Sequence, residues 1–384
     1  MRSFNAHNWT QPRFNRASFQ DVQSLFPTAR LRRGSGKASE LVVRERDLSD
    51  ITYPGLDGRD HSIAQWFEET YTDALLIMKE GVVVTELYSN GMTADCPHLL
   101  NSVSKSFLGM LAGILADEGV INPAELLALY VPEFSNTAFA ETTLQQALDM
   151  TAAVKFGEDY ANVRDDFWRE TAMVGWRPDL LDAQAPGDLL SFATGLTEVQ
   201  QKDGEHFHYR TVLTNVLGIA IERATNQPLH SLIENRIWQK LGPEQDAAVV
   251  VDPAGFPYFG AGMNACARDL ARFGQMLLHD GSYNGSQIVP ADWIRDTRAG
   301  SDILRSQFAA SDYGQKLPGG HYRNQVWAVA EGALLVCLGI YGQTIAVDKT
   351  TGVVMVKLSS HPEPSNDLLF LDTFLGMMAI SSAV

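Results

Sequence analysis

Ser102 and Lys105 stand three residues apart at the head of the stretch LLNSVSKSFLGMLAGILADEG, Leu99 to Gly119. In a helix, residues at that spacing share a face, so hydroxyl and amine would open onto the same space. A serine hydroxyl is a poor nucleophile until a neighbouring base takes its proton. A lysine flanked by Phe107, Leu108 and Met110 is partly desolvated, which favours the neutral amine that can act as that base. In the first turn Ser102 would sit among backbone N–H groups without intrahelical acceptors, at the positive end of the helix dipole. Its own N–H could then help hold an oxyanion. The chemistry this points to is acyl transfer. Ser-x-x-Lys is a short pattern and serine is a common helix cap, so the surroundings must carry the rest of the argument.

The elements around the pair are readable from pattern. ALLIMKEGVVVTELY (Ala74 to Tyr88) is two β-rich runs joined by Lys79-Glu80-Gly81, a hairpin signal. The helix that opens at about Ser102 stops at Gly119, a glycine suited to the left-handed position after a helix end. INPAELLALYVPEF predicts a new helix with Asn122 as cap and Pro123 at its first position. Mostly helical segments then run to about Gly242, followed by the amphipathic ARDLARFGQMLLHDG. QVWAVA, ALLVCLGI, QTIAVD and GVVMVKLSS read as short successive strands, and NDLLFLDTFLGMMAISSA as a closing helix. Strands near both chain ends with helices between them predict an α+β fold: one antiparallel sheet of N- and C-terminal pieces flanked by helices, with a mostly helical insert. The expected division is an N-terminal arm over 1–40, a sheet domain over 41–120 and 243–384, and a helical inserted domain over 121–242.

The chain has 384 residues and a formal net charge of −16. Such a surface repels phosphate backbones, which argues against nucleic acid as a partner. No run approaches the roughly eighteen apolar residues that a membrane span needs, and the first twenty residues lack the apolar core of a secretory signal. Cys96, Cys266 and Cys337 are odd in number and far apart, so they read as small hydrophobes rather than disulfides or ligands; a cytoplasmic location is expected. His206-x-His208 has no third ligand at a zinc spacing, RRGSGKAS lacks the full phosphate-loop spacing, and no Gly-x-Ser-x-Gly elbow is present.

Ser-x-x-Lys leading an apolar helix after a hairpin is the nucleophile arrangement of serine β-lactamases and penicillin-binding proteins. The chain resembles that superfamily from about Tyr71 to its C-terminus. TTLQQALDMTAAV (Thr142 to Val154) is similar to the Thr-Leu-x-x-Leu-Leu-x-Met-Thr-Ser-Gly stretch common there, and GAGMNACARDLARFGQMLLHDG (Gly260 to Gly281) to its Gly-Gly-Leu-x-Ser-Thr-Ala-x-Asp-Leu-Ala-Arg-Phe helix. YTDALLIMKEGVVVTELY, HLLNSVSKS and VMVKLSSHPEP most resemble the 6-aminohexanoate-dimer (nylon oligomer) hydrolases and the β-lactamase-fold, family VIII type carboxylesterases.

The resemblance implies a β-lactamase/transpeptidase-like fold and a second proton carrier. Tyr209, in HFHYRTVLTNVLGIA, takes that place; a phenol beside a lysine ammonium is expected to be drawn toward its anion. Thr211 stands where asparagine is usual, and the resemblance implies that it lines the substrate site together with Tyr341, Gly342 and Gln343. The third motif, Lys-Thr-Gly on an edge strand, corresponds to Tyr341-Gly342-Gln343; loss of its lysine argues against a penicillin substrate. By the same likeness the N–H of Ile340 joins that of Ser102 as the oxyanion hole, with Gln343 as the other choice. GEDYANVRDDFWRETAMVGWRP (Gly157 to Pro178) resembles the segment covering the cleft, with Tyr160 and Trp176 as substrate contacts. Thr171 replaces an acidic residue that meets the substrate's amine, and Gly260 replaces a polar contact. The expectation is a serine hydrolase acting on small carboxylic esters and linear amides through an acyl-enzyme, with a small molecule as its partner and no metal or organic cofactor required. A homodimer stays open, as do a β-lactamase or DD-peptidase and a non-catalytic binding or scaffold protein on the same frame.

Overall fold

Glu80 and Gly81 both take positive φ, 49° and 81°, and so make the tight two-residue turn whose twist suits a hairpin. They join Thr72–Lys79 to Val82–Tyr88. The structure, a computed structural model, describes residues 4–181 and 185–384; the first three residues of the expected arm lie outside it. The hairpin sits inside an eight-stranded sheet. Val353–Ser359 pairs with Thr72–Lys79, bringing the C-terminal strands Gln343–Asp348, Leu334–Gly339, Val326–Val329 and His321–Arg323 in behind it. The sheet is not antiparallel throughout: Val42–Val43 lies parallel to Val82–Val83 at one edge. No tight turn links that pair; the chain leaves Val43 through the hairpin Thr52–Ser62 and the helix Ile63–Glu69 before re-entering the sheet, a crossover of the kind parallel pairing requires.

Two helices bury themselves against this sheet and the insert. Val103–Asp117 is buried from Val103 through Leu115, which explains why its sequence is apolar on all sides. Its glycines mark close approach: a Cβ at Gly109 would lie 2.1 Å from the Asn324 carbonyl oxygen. Ala267–Leu278 packs on the sheet, where a Cβ at Gly274 would meet Val354 at 2.4 Å. The insert carries the helices Leu144–Leu148, Asp166–Ala172, Leu189–Thr194 and Thr211–Thr225. The helix expected at Asn122 begins only at Leu127. Asn122 instead caps a turn, its Oδ1 accepting from the Ala124 N–H at 3.1 Å. The backbone just beyond is claimed by the 142–144 segment, with Leu127 N–H bonded to Thr142 O and Leu144 N–H to Glu125 O.

The N-terminal residues are tied into the body. Trp9 and Phe19 are fully buried and Phe26 nearly so, and Trp9 meets Phe19, Phe26 and Trp176 edge-on at centroid distances of 5.7, 5.1 and 5.1 Å. Thr28–Leu31 pairs antiparallel with Ala247–Val250 in a second, four-stranded sheet that also holds Met263–Ala265 and His98–Leu99. Trp9→Ala removes the hub of that aromatic cluster and should cost about 3–5 kcal/mol, read as a lower denaturant midpoint with an unchanged slope.

Candidate active site

The second sheet positions Ser102. Leu100 N–H bonds Met263 O at 2.9 Å, and the Ser104 hydroxyl accepts from Met263 N–H at 3.1 Å while donating to Asn101 O at 2.6 Å. The GAGMNACARDLARF segment is thus the clamp that sets the start of the Val103–Asp117 helix. Asn101 turns the chain from strand to helix in the left-handed region, φ 47°, a conformation found where local structure is over-determined. Ser102 is the cap residue, but its side chain makes no capping bond. Its Oγ instead accepts from Lys105 Nζ at 2.7 Å.

Lys105 is 1% exposed. Nζ also donates to Thr211 Oγ1 at 3.0 Å and Gly260 O at 2.6 Å, so every proton of the ammonium form has an acceptor. Burial pulls the amine down to about 8 against the opposing pull of Glu158 and Glu170. A base in that range holds a useful neutral fraction near neutral pH. Gly260 is required by crowding: a Cβ there would lie 2.7 Å from Thr211 Cγ2 and 2.8 Å from the Tyr258 ring.

Tyr209 is positioned by the TTLQQALDMTAAV segment. His208 N–H bonds Met150 O at 2.9 Å, Arg210 N–H meets Met150 Sδ at 3.4 Å, and Arg210 Nη1 donates to Ala152 O at 2.7 Å. The imidazole of His208 is spent in the same frame, accepting from Arg210 Nη2 at 2.8 Å. Tyr209 shares the cleft with Ser102, stacks on Trp327 at 5.1 Å, and has Lys105 Nζ 5.1 Å from its ring centroid. The expectation of a phenol drawn toward its anion is corrected here. Burial first, and the Glu158 charge next, push the Tyr209 phenol well above its ordinary range, with the Ser102 hydroxyl acting the other way. The anion is therefore disfavoured at Tyr209, which suits the phenol to giving up a proton only to a developing negative charge.

The cleft above Ser102 is walled by Tyr160, Tyr209, Tyr313 and Trp327 on one side and by Leu338, Ile340, Phe370 and Phe374 on the other. Gly339 brings its strand end close to the turn before Ser102, since a Cβ there would lie 2.5 Å from Leu100 O. Asn101 Nδ2 then holds Ile340 O at 3.0 Å. Gly342 and Gln343 also line the cleft, but the Gln343 amide is committed to Ser359, donating to its O at 2.6 Å and accepting from its N–H at 3.1 Å.

Three expected contacts fall elsewhere. Tyr341 turns with φ 62° and packs its ring on Phe19 at 5.1 Å. The segment it belongs to connects two interior strands rather than running along an edge strand. Trp176 lies in the aromatic cluster with Trp9 and Tyr258, away from the cleft. Thr211 faces inward, accepting from Lys105 and donating to Glu158 Oε1 at 2.7 Å. Sequence reasoning passed over Glu158, Glu170, Tyr313 and Trp327. The usable signal was that two of the segment's five acidic residues, Glu158 and Glu170, lie close in sequence to Phe156, Tyr160, Phe167 and Trp168, in a stretch already read as covering the cleft.

The beta-lactamase family model matches residues 63–374. The chain belongs to the beta-lactamase family. Within it, the chain is similar to the 6-aminohexanoate-dimer hydrolase of Paenarthrobacter ureafaciens, 33% identical over 360 residues that cover 93% of this chain and 88% of that one. A solved structure from Bacillus anthracis, provisionally named a 6-aminohexanoate-dimer hydrolase, superposes with a TM-score of 0.87 at 26% identity over 99% of this chain and 96% of that one. A family VIII carboxylesterase shares the fold at 15% identity and a TM-score of 0.58, over 82% of this chain and 95% of that one.

In this member of the family the depressed amine fixes a pH dependence. With Lys105 as the base for Ser102, the role proposed below, kcat/KM for an ester should rise through about pH 8 and level off above it. Lys105→Ala should erase that limb and lower kcat by roughly 10²–10⁴-fold, as a pH–rate profile would register.

Proposed function

We propose that this protein is a serine hydrolase that cleaves small carboxylic esters, and linear amides more slowly, through an acyl-enzyme on Ser102. The observation that carries this reading is the contact of 2.7 Å between Lys105 Nζ and Ser102 Oγ, made by an amine whose burial pulls it down to about 8. As Ser102 Oγ bonds to the acyl carbon, Lys105 accepts the serine proton. Tyr209, whose phenol stays neutral, gives its proton to the leaving oxygen or nitrogen as that bond breaks, and the proton on Lys105 then replaces it. Water repeats the sequence from the other side: it loses a proton to the same base, attacks the acyl carbon, and Ser102 departs with its proton restored.

The oxyanion would be held by the N–H groups of Ser102 and Ile340. Supporting this, the left-handed residues Asn101 and Tyr341 flank the two donors, and the bond from Asn101 Nδ2 to Ile340 O ties them together. Such pre-set donors act where charge develops. Tyr160 supplies one wall of the substrate site. We divide the chain around this cleft into the sheet body (41–120 and 243–384), the helical insert (121–242) and the N-terminal arm (1–40).

Two observations favour esters over the substrates of the named relatives. Thr171, in place of an acidic residue, is buried with its hydroxyl bonded to Trp168 O at 2.8 Å, so it cannot meet a substrate amine. Tyr341 takes the place of the third-motif lysine, leaving a lactam's carboxylate without that partner. Among the described residues no helix is long and apolar enough to cross a membrane. With Cys96, Cys266 and Cys337 all unpaired, we assign the protein to the cytoplasm.

p-Nitrophenyl butyrate should give a burst of p-nitrophenol followed by steady turnover, and a fluorophosphonate should label Ser102. Ser102→Ala should abolish both; equal turnover by that variant overturns the mechanism. Nitrocefin should be hydrolysed at least about 10²-fold more slowly than the ester, the scale on which loss of one oriented charge contact acts.

A further inference from the structure

Two carboxylates stand behind Lys105, and the mechanism above uses neither. Glu158 is partly buried with its carboxylate turned inward, where it takes three donors. Oε1 accepts from Thr211 Oγ1 and from Tyr160 Oη, each at 2.7 Å; Oε2 accepts from Thr211 N–H at 2.5 Å. Thr211 Oγ1 in turn accepts from Lys105 Nζ at 3.0 Å. One hydroxyl therefore connects the base to the carboxylate, and a second connects the carboxylate to the cleft wall.

Glu170 is built differently. It is 0% exposed, with Asn215 Nδ2 at 2.9 Å and the Tyr258 hydroxyl at a long 3.4 Å. Asn215 Oδ1 beside it has no partner among the described residues. A protonated Glu170, with the Asn215 amide turned over, would donate its O–H to that orphan oxygen; the two ends of an amide are interchangeable by shape.

The geometry points to a division of labour: Glu158 is the charged positioning residue that aims and electrostatically holds the Lys105 amine, while Glu170 stands beside it as a neutral acid. This rests on Lys105 being the base for Ser102. Donor count decides which carboxylate keeps its charge, because hydrogen bonds to the ionised form favour it. Burial pushes both carboxyls up, but Lys105 and three donors hold Glu158 back, whereas Glu170 goes up to about 8, above neutrality, and loses its pull on Lys105 once protonated. The other groups around Lys105 are the Ser102 and Thr211 hydroxyls, the Gly260 carbonyl and the Tyr209 ring. Around Glu158 they are the Tyr160, Tyr209, Tyr258, Tyr313 and Tyr322 phenols, Glu170, and the more distant Arg210 cation. Of all these, Glu158 is the carboxylate linked to the amine through a single hydroxyl.

The sign follows. The Glu158 charge favours the ammonium form of Lys105, so removing that charge lowers the pH at which the base becomes available. Glu158→Gln keeps the accepting oxygen and the shape. Its kcat/KM limb should move down by at least about one pH unit, within the roughly one to three units that a close opposite charge exerts. Glu170→Gln should leave the limb within about 0.3 unit of wild type, well below that range. In a separate pair, Thr211→Val should lower kcat about 10²-fold through loss of aim, and Thr211→Ser should restore most of it. A limb that stays put in Glu158→Gln, or moves instead in Glu170→Gln, overturns the assignment. If Glu158→Gln fails to fold by thermal melting, the Thr211 pair decides: equal kcat in the valine and serine variants overturns it. Fluorophosphonate labelling of wild-type Ser102 keeps the outcomes separate, since labelling with an unmoved limb sinks only the role of Glu158, whereas no labelling sinks the hydrolase reading itself.

Discussion

A cation taken out of water must be given acceptors or surrender its proton. Lys105 is held between those outcomes. Its helix is apolar on every side, so the amine has no route to solvent along its own element, yet Ser102, Thr211 and Gly260 offer one acceptor for each proton. Were the acceptors fewer, the lysine would be a permanent free base with nothing to orient it; were the site wetter, it would be a permanent ammonium. The rest of the architecture reads as the means of keeping that balance. Met263 anchors the turn before the helix, Met150 anchors the loop bearing Tyr209, and Gly260 leaves room for Thr211 and Tyr258 to close in.

Close backbone approach is the second constraint. At Gly260 and Gly339 a single added carbon would collide with its neighbours. Both positions lie within one residue of a group at the site, the Gly260 carbonyl that accepts from Lys105 and the Ile340 unit held by Asn101. Side chains can be re-aimed by rotamers, but a main chain held this tightly cannot drift without unpacking a strand or a helix.

What was legible in the sequence was what is local. The turn at Glu80-Gly81 announces a hairpin because its two residues alone decide the φ angles. Ser102 and Lys105 announce a shared face because helical spacing needs no tertiary information. Tyr209 was legible through the motif likeness, and its environment was not: the phenol's charge state depends on Glu158, 51 positions earlier in the chain, which no periodicity connects to it. Trp176 was misplaced for the same reason, since nothing in its neighbourhood reveals that Trp9 claims it. The Asn122 helix failed because a cap and a proline describe a willing start, whereas segment 142–144 had already taken the backbone groups that start would need. The parallel edge at Val42 was hidden by a crossover whose direction two residues cannot specify.

The N-terminal segment is fastened at once to the insert and to the strand ends near the cleft. Trp9 presses on Trp176 of the insert, Phe19 on Tyr341 next to Ile340, and Asn15 Nδ2 grips His361 O at 2.7 Å. That strap joins the insert to the sheet through residues 9–26, none of which lines the cleft, so a change there would reach the cleft only by shifting one packed part against the other.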